Sequence, residues 1–174
     1  MEHLDFLLNQ IFNFLFLDMR EKYLLSEIKN IQIPIKLPCV IFLKGDLASG
    51  KTTLAKHILQ DLLWVKEEVT SPTYKYYNKY LVESLEFWVV KKNEKLKTES
   101  WKLLTLHHFD LYRLSSYDEF FAIGWEEILD NNAWVILIEW PEIIEAYYRP
   151  DIEIILKKTE IEDERKIEIK GRGL

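Results

Sequence analysis

The 174-residue chain is poor in cysteine and in arginine. It has one cysteine, only five of its 23 basic residues are arginine, and its formal net charge is −6. Cys39 cannot form an internal disulfide, so we expect it to be a core residue in a reducing compartment. Proteins that grip RNA or DNA alone present a basic face, which this composition lacks. We therefore predict no direct DNA binding, and nucleic-acid contact only locally or through a partner.

The chain also lacks a hydrophobic run long enough to span a bilayer. Its N-terminus is apolar, but Glu2 and Asp5 stand where a signal peptide is positively charged. We predict a cytoplasmic protein without a membrane contact. Apolar residues near helical spacing predict that residues 3–29 are helical, in one piece or two, and that this segment either covers a sheet edge or contacts another protein.

Length and composition predict one domain over residues 1–174, with 48% hydrophobic and 30% charged residues. We divide it into an N-terminal helical segment, residues 1–38, and a core, residues 39–174. No internal repeat or low-complexity linker separates parts of the chain.

The most informative stretch is Gly45-Asp46-Leu47-Ala48-Ser49-Gly50-Lys51-Thr52, which fits G-x-x-x-x-G-K-[ST] at every fixed position. An apolar segment before it predicts a strand, and apolar residues at helical spacing after it predict a helix. In this motif the glycines let backbone N–H groups approach phosphates. Lys51 would reach the β- and γ-phosphates, and the Thr52 hydroxyl would contact Mg²⁺.

Two later segments predict carboxylates at the same edge of the sheet. Trp134–Glu139 is an uninterrupted apolar strand ending in Glu139, which suits a magnesium-side carboxylate. Asp110 closes another predicted strand and suits a role near Mg²⁺ and the attacking water, although a turn or capping role is the alternative. His107 and His108 are neighbours in a strand and would face opposite sides, which argues against a shared metal site.

Two further positions stay open on the residues alone. Ser71-Pro72-Thr73 is either an ordinary turn or a loop whose threonine senses the γ-phosphate. Trp140, which follows Glu139, would either stack on the nucleotide base or pack on the loop.

The remaining pattern predicts antiparallel hairpins at the sheet edges. Residues 74–106 form a long hairpin with a charged tip, and Ile152–Leu156 pairs with Arg165–Ile169 in a half-exposed edge hairpin. A serine-capped helix begins at Ser115-Ser116. The predicted fold is α/β: a P-loop NTPase-like three-layer fold with a mixed sheet and a parallel nucleotide-binding core.

The segments GDLASGKTTL, SPTY, HFDLYRL and EWPE occur in an order that resembles the TsaE (YjeE) family. The resemblance begins near Val40 and continues to the C-terminus. It implies a small ATPase, weak alone, that binds ATP/ADP and Mg²⁺. It also implies action with TsaD and TsaB in forming threonylcarbamoyladenosine (t6A) at position 37 of tRNAs reading codons that start with A.

The resemblance also implies roles for individual residues. Lys51, Asp110 and Glu139 would be catalytic, and Thr52, Glu139 and Asp110 would hold the metal. The nucleotide-binding set would be Gly45, Asp46, Leu47, Ala48, Ser49, Gly50, Lys51, Thr52, Thr53, Thr73 and Trp140.

This chain departs from the family pattern in three respects, one of which is that its aromatic N-terminal helical segment matches none of the family's motifs. The family commonly has Gly-Ala where this chain has Ala48-Ser49, so nucleotide affinity would suffer if Ala48 had to adopt a positive φ. The hairpin over residues 74–106 is also longer than usual.

Other functions remain as alternatives to a partner-stimulated ATPase. A nucleotide-gated interaction protein would bind without significant turnover. A small P-loop kinase would carry an arginine-rich lid, for which arginine is scarce here. A GTPase would carry N-K-x-D, whereas Asn78-Lys79 is followed by Tyr80 and Leu81.

Overall fold

The structure, a computed structural model, describes residues 22–84, 102–125, 128 and 135–171. A single seven-stranded sheet organises these residues. In chain order its strands are β1 (Lys22–Leu24), β2 (Cys39–Lys44), β3 (Tyr77–Ser84), β4 (Lys102–Asp110), β5 (Val135–Glu139), β6 (Ile152–Lys158) and β7 (Glu164–Gly171).

The spatial order of the strands is β1-β7-β6-β2-β5-β4-β3. The four central strands, β6, β2, β5 and β4, run parallel, while β3 and the β7–β1 pair are antiparallel additions at the two sides. The predicted mixed sheet with a parallel core is confirmed.

The central strands are apolar along their whole length because both of their faces are covered. Every residue of β5 is buried, and in β2 Ile41, Phe42 and Leu43 are fully buried. Successive residues point to opposite faces, so Ile41 and Leu43 join one core while Phe42 joins the other. The sheet is therefore the middle of three layers, as predicted.

Helix α1 (Lys51–Lys56) covers the first face and continues as a wider π-helical segment over His57–Leu62. Leu54, Ile58 and Leu59 are fully buried in this core. The apolar side of this helix is the one that the 3.6-residue spacing predicts.

The second face carries an aromatic core beside the short helix α2 (Tyr117–Phe121). Trp125 packs edge-on against Phe109, with ring centroids 5.7 Å apart, and lies 4.7 Å from Phe120. Ser116 caps α2 by accepting a hydrogen bond from the Glu119 N–H, which confirms the predicted serine cap.

The prediction of a helix through residue 29 is wrong over residues 22–24, whereas residues 25–29 are helical but form a 3-10 helix. Residues 22–24 form β1, and Leu25–Asn30 form a 3-10 helix. The C-terminal hairpin was predicted to form the edge of the sheet. This is wrong, because β1 pairs with β7 and is the edge strand on that side. This pairing forms hydrogen bonds to β7 backbone groups that would otherwise lie at an unpaired edge, and it buries Tyr23. These two gains outweigh the local preference of the segment for helix. The predicted helix over residues 3–21 lies outside the described residues.

The predicted long hairpin is confirmed in its two strands, because β3 and β4 pair from Tyr77 with Phe109 to Ser84 with Lys102. Its charged tip lies outside the described residues. Within the described ranges, no helix is long and apolar enough to cross a membrane.

Candidate functional site

The glycine-rich loop joins β2 to α1 at the carboxyl end of the central strands, and both of its glycines adopt positive φ angles. Gly45 has φ +141° and Gly50 has φ +102°. A Cβ at residue 45 would lie 2.3 Å from the carbonyl oxygen of Leu156, on β6, and 2.8 Å from the Ser49 hydroxyl. Only glycine fits at residue 45, where the loop passes against a neighbouring strand.

Ala48 also adopts a left-handed conformation, with φ +58°. The sequence predicted reduced nucleotide affinity if Ala48 had to adopt a positive φ, and it does. This conformation is strained for alanine because the Cβ crowds the residue's own carbonyl oxygen. Asp46, Leu47 and Ala48 are exposed at the loop's outer rim. Ser49 is buried, and in the described part of the chain its hydroxyl has no hydrogen-bond partner.

Lys51 is the first residue of α1, and its side chain folds back over the loop. Its Nζ donates to the carbonyls of Gly45, at 2.6 Å, and Asp46, at 2.9 Å. The same ammonium lies 3.7 Å from the centroid of the Trp140 ring. Burial lowers the pKa of Lys51, while the charges of Glu139 and Asp110 oppose that shift.

The two predicted carboxylates meet at the ends of neighbouring parallel strands. Asp110 closes β4 and Glu139 closes β5, they are paired in register, and both are buried. The Thr52 hydroxyl donates to Glu139 Oε2 at 3.1 Å. Thr53, the next residue of α1, is exposed. The carboxylates therefore lie beside the glycine-rich loop, as the topology of a parallel sheet requires.

His108 is a site residue whose role the sequence reasoning missed. Its Nε2 lies 2.9 Å from Glu139 Oε1, and its side chain is fully buried. It stands two residues before Asp110 in β4, so both project from the same face of the sheet. That spacing is the signal that could have identified it.

His107 faces the other side, as predicted from the alternation of strand side chains. Its ring stacks on Tyr77 with centroids 5.6 Å apart. Burial, helped by the charge of Lys79, lowers the pKa of His107 to about 4. His107 and His108 therefore cannot share a metal ion.

Asp110 is bound by the loop that precedes β3. Its Oδ2 accepts hydrogen bonds from the hydroxyls of Thr73 and Ser71, the latter at 3.1 Å. Its Oδ1 accepts from the Tyr112 N–H, at 3.1 Å. The Ser71-Pro72-Thr73 segment is therefore joined directly to a site carboxylate, which an ordinary strand-entry turn would not require.

Trp140 packs on the loop, one of the two arrangements that the sequence left open. Besides its contact with Lys51, its ring centroid lies 4.9 Å from that of Tyr112. The backbone of Trp140 has φ +58°, and its backbone N–H donates to the Leu43 carbonyl at 3.2 Å. Stacking of the indole on a nucleotide base stays a prediction.

Arg165 is a second residue that the sequence reasoning missed. It lies on β7, is buried, and donates to the carbonyls of Ala48 and Ser49 in the glycine-rich loop. It occupies an inward-facing position of a strand whose next inward residues are Ile167 and Ile169. A charge in an apolar alternation is the signal that could have drawn attention to it.

The residues present fit a phosphate chain with magnesium better than a metal held by protein alone. No group of three or more His, Cys, Asp or Glu converges anywhere in the described ranges. Magnesium is usually held by one or two carboxylates together with phosphates and water, which matches Thr52, Glu139 and Asp110. An anion accepts hydrogen bonds. The Ser49 hydroxyl, which has no hydrogen-bond partner in the described residues, and the Lys51 ammonium are both donors that suit it.

Comparison with known proteins agrees with this geometry. The sequence model of the family "Threonylcarbamoyl adenosine biosynthesis protein TsaE" matches residues 21–167. The tRNA threonylcarbamoyladenosine biosynthesis protein TsaE of Rickettsia felis is 34% identical over 127 residues, 73% of this chain and 61% of that protein. The protein of the same name from Borreliella burgdorferi is 30% identical over 151 residues, 87% of this chain and 95% of its own length.

A crystal structure of Bacillus subtilus YdiB shares the fold, with a TM-score of 0.50 at 24% identity over 86% of this chain and 77% of that one. This chain thus spans about three fifths of the Rickettsia felis relative but nearly all of the Borreliella relative. The family match covers β1 through Ile167 and contains every site residue described above. On these findings, the chain belongs to the TsaE family.

Proposed function

We propose that this chain is a cytoplasmic, magnesium-dependent ATPase that supports formation of t6A at position 37 of tRNAs reading codons that start with A. It would act with TsaD-like and TsaB-like proteins and reach tRNA through that complex. The name of the matching family and those of its relatives support the pathway. One observation supports the chemistry above all: Lys51, Thr52, Asp110 and Glu139 converge beside a glycine-rich loop.

Catalysis by such a site would consist mostly of positioning and charge neutralisation. Loop N–H groups and the Lys51 ammonium would bind the β- and γ-phosphates of ATP. Thr52, Glu139 and Asp110 would hold magnesium, whose contribution is to neutralise charge on the phosphate oxygens. Asp110 would also orient or deprotonate the attacking water.

The hydrogen bonds around Asp110 suggest how turnover would be controlled. Its Oδ2 is engaged by Thr73 and Ser71. In this arrangement two hydroxyls of the loop already occupy the oxygen that an attacking water would need. Moving the Thr73 hydroxyl to the γ-phosphate side would free Asp110, and a partner that moves this loop would stimulate hydrolysis.

Binding is tested first. Lys51→Ala removes the ammonium that contacts the loop, and we expect ATP affinity to fall at least about 100-fold, because two or more charge-assisted hydrogen bonds to phosphate are lost. The matched control is Lys56→Ala, which removes an exposed lysine of the same helix. Calorimetric titration with ATP and magnesium measures both. Normal affinity in Lys51→Ala, with a normal melting curve, contradicts the proposed cradle.

Turnover is tested separately. We expect Asp110→Ala to leave ATP affinity within a few-fold and to abolish phosphate release in the presence of the TsaD-like and TsaB-like partners. Asp118→Ala, an exposed aspartate in α2, is the control. Hydrolysis at the unmodified rate by Asp110→Ala would end the role assigned to this carboxylate.

The engagement of Asp110 by the loop also favours a second candidate, a nucleotide-gated interaction protein. In that case nucleotide binding would control assembly and turnover would be incidental. Phosphate release measured with and without both partners separates the two functions. Assembly that depends on ATP while hydrolysis stays unstimulated would favour the gate.

A further inference from the structure

Arg165 forms a buried bridge between the C-terminal hairpin and the glycine-rich loop. Its Nε donates to the Ser49 carbonyl at 3.0 Å, and one Nη donates to the Ala48 carbonyl at 3.2 Å. The other Nη donates to the carbonyls of Glu162, at 2.6 Å, and Glu164, at 2.8 Å. The side chain is 5% exposed, so these four carbonyl oxygens replace water around the charge.

The charge of Arg165 is not neutralised by a carboxylate in the described part of the chain, where its hydrogen bonds all go to backbone oxygens. A buried guanidinium usually pairs with an acidic side chain. Here the cation stands behind a loop that is built to receive an anion. With no side-chain carboxylate against it in the described ranges, the guanidinium adds to the attraction of that loop for phosphate.

One of the two loop carbonyls that Arg165 binds belongs to Ala48, a residue with a Cβ that adopts a left-handed conformation in the loop. Ala48 has φ +58°, which its own Cβ disfavours. A planar trans peptide points its N–H opposite to its C=O, so binding the Ser49 carbonyl also sets the direction of the Gly50 N–H. Arg165 thus holds a conformation that the loop sequence by itself resists.

We infer that Arg165 is a positioning residue that holds Ala48 in its left-handed conformation and thereby keeps the loop ready to bind phosphate. This inference rests on the proposed nucleotide-binding function of the same loop. Arg165 would touch no reacting atom, because it acts through the backbone of Ala48 and Ser49. The consequence is that nucleotide affinity depends on a strand far from the motif in sequence.

A simpler role for Arg165 would be to cap the turn between β6 and β7, since half of its hydrogen bonds go to Glu162 and Glu164. The two roles differ in one measurable respect. A turn cap would affect folding stability without regard to the residue at position 48. A loop-positioning residue is coupled to position 48, because glycine there carries no penalty for a positive φ.

The test is a double-mutant cycle on the full chain with Arg165→Met and Ala48→Gly. Affinity for magnesium–ATP is measured by calorimetry for the unmodified chain, both single variants and the double variant, alongside melting curves. Arg149→Met is the matched control, because Arg149 is exposed and precedes β6, at the end of the sheet opposite the loop. We expect this control to bind as the unmodified chain does.

We expect Arg165→Met to weaken ATP binding at least about tenfold, because the competent loop conformation becomes a minor one. Ala48→Gly should recover about threefold or more of the affinity in the Arg165→Met background, and its effect there should exceed its effect in the unmodified chain. Arg165→Lys keeps the charge but not the fork of donors, so it should show an intermediate loss, again recovered by Ala48→Gly. If Arg165→Met does not fold, the cycle is run with Arg165→Lys.

Two results would overturn the inference while leaving the proposed function intact. One is ATP affinity within twofold of the unmodified chain in the Arg165 variants. The other is an effect of Ala48→Gly that is the same with and without Arg165. If the unmodified chain itself does not bind ATP, the proposed function fails first and this inference fails with it.

Discussion

Neutralising Glu139 should change ATP affinity in opposite directions with and without magnesium. Glu139 is 1% exposed, its two oxygens contact Thr52 and His108, and its charge acts on Lys51. Glutamine has nearly the same shape, and its amide can still pair with the Thr52 hydroxyl and the imidazole. Glu139→Gln therefore removes a charge with little change in packing.

The expected magnitude follows from the Coulomb energy in a partly buried site. Two unit charges about 7 Å apart interact by roughly 2 kcal/mol at an effective dielectric constant of about 20. Without magnesium the carboxylate repels the phosphates, so we expect Glu139→Gln to bind ATP about 30-fold more tightly. With magnesium the carboxylate attracts the metal, so we expect the variant to bind magnesium–ATP about 30-fold more weakly.

The assay is calorimetric titration with a non-hydrolysable ATP analogue, once in excess EDTA and once in excess magnesium. Asp118→Asn is the control, because Asp118 is an exposed carboxylate of α2 and solvent screens its charge. We expect the control to change either affinity by less than twofold. A change of the same sign in both titrations for Glu139→Gln would refute the assignment of Glu139 to the magnesium side.

Three further predictions concern the scaffold around the site. Gly45→Ala should prevent stable folding or displace β6, because its Cβ would lie 2.3 Å from the Leu156 carbonyl oxygen; Gly124→Ala, with φ +80° and no atom within 4 Å, should cost only about 1 kcal/mol of unfolding free energy. Equal melting temperatures for these two variants would contradict the close approach at the loop. His107→Phe should make the protein less sensitive to acid. Since the folded pKa of His107 is about 4 and its ordinary value is 6.5, the unfolded chain takes up the proton first, and stability falls as the pH drops from about 6.5 to 4. Urea unfolding at pH 7 and pH 5 should show a loss about 2 kcal/mol smaller in His107→Phe than in the unmodified chain, and an unchanged loss would refute the buried neutral imidazole. Ser116→Ala should lower the unfolding free energy by about 1 kcal/mol through loss of the α2 cap while leaving ATP affinity unchanged, and Ser115→Ala, one residue earlier, should have no such effect.

The position of Ala48 explains why the loop needs support from outside the motif. A glycine-rich loop normally reaches left-handed conformations without cost. Here Ala48, a residue with a Cβ, occupies one of them. Arg165 binds the Ala48 carbonyl, and the β6 backbone at Leu156 lies against Gly45 at the start of the loop. The loop's shape is therefore a property of the sheet as well as of the motif.

The sequence alone was enough to predict the strand, loop and helix around Lys51, the parallel core, both hairpins and the two acidic strand ends. These features depend on patterns that act over a few residues: hydrophobic period, glycine placement and the rule that parallel strands end at one edge. The same local reasoning predicted helix where Tyr23 lies in β1, because local spacing does not register that β7 offers an open edge.

Only the tertiary structure decided which side chains complete the site. His108 reaches Glu139, Thr73 reaches Asp110, and Arg165 reaches Ala48 across separations of 31, 37 and 117 residues. No local preference encodes such contacts, since each exists only after the sheet has brought distant strands together. The types of side chain in the site can therefore be read from local motifs, whereas the contacts that position them form only when the sheet has folded.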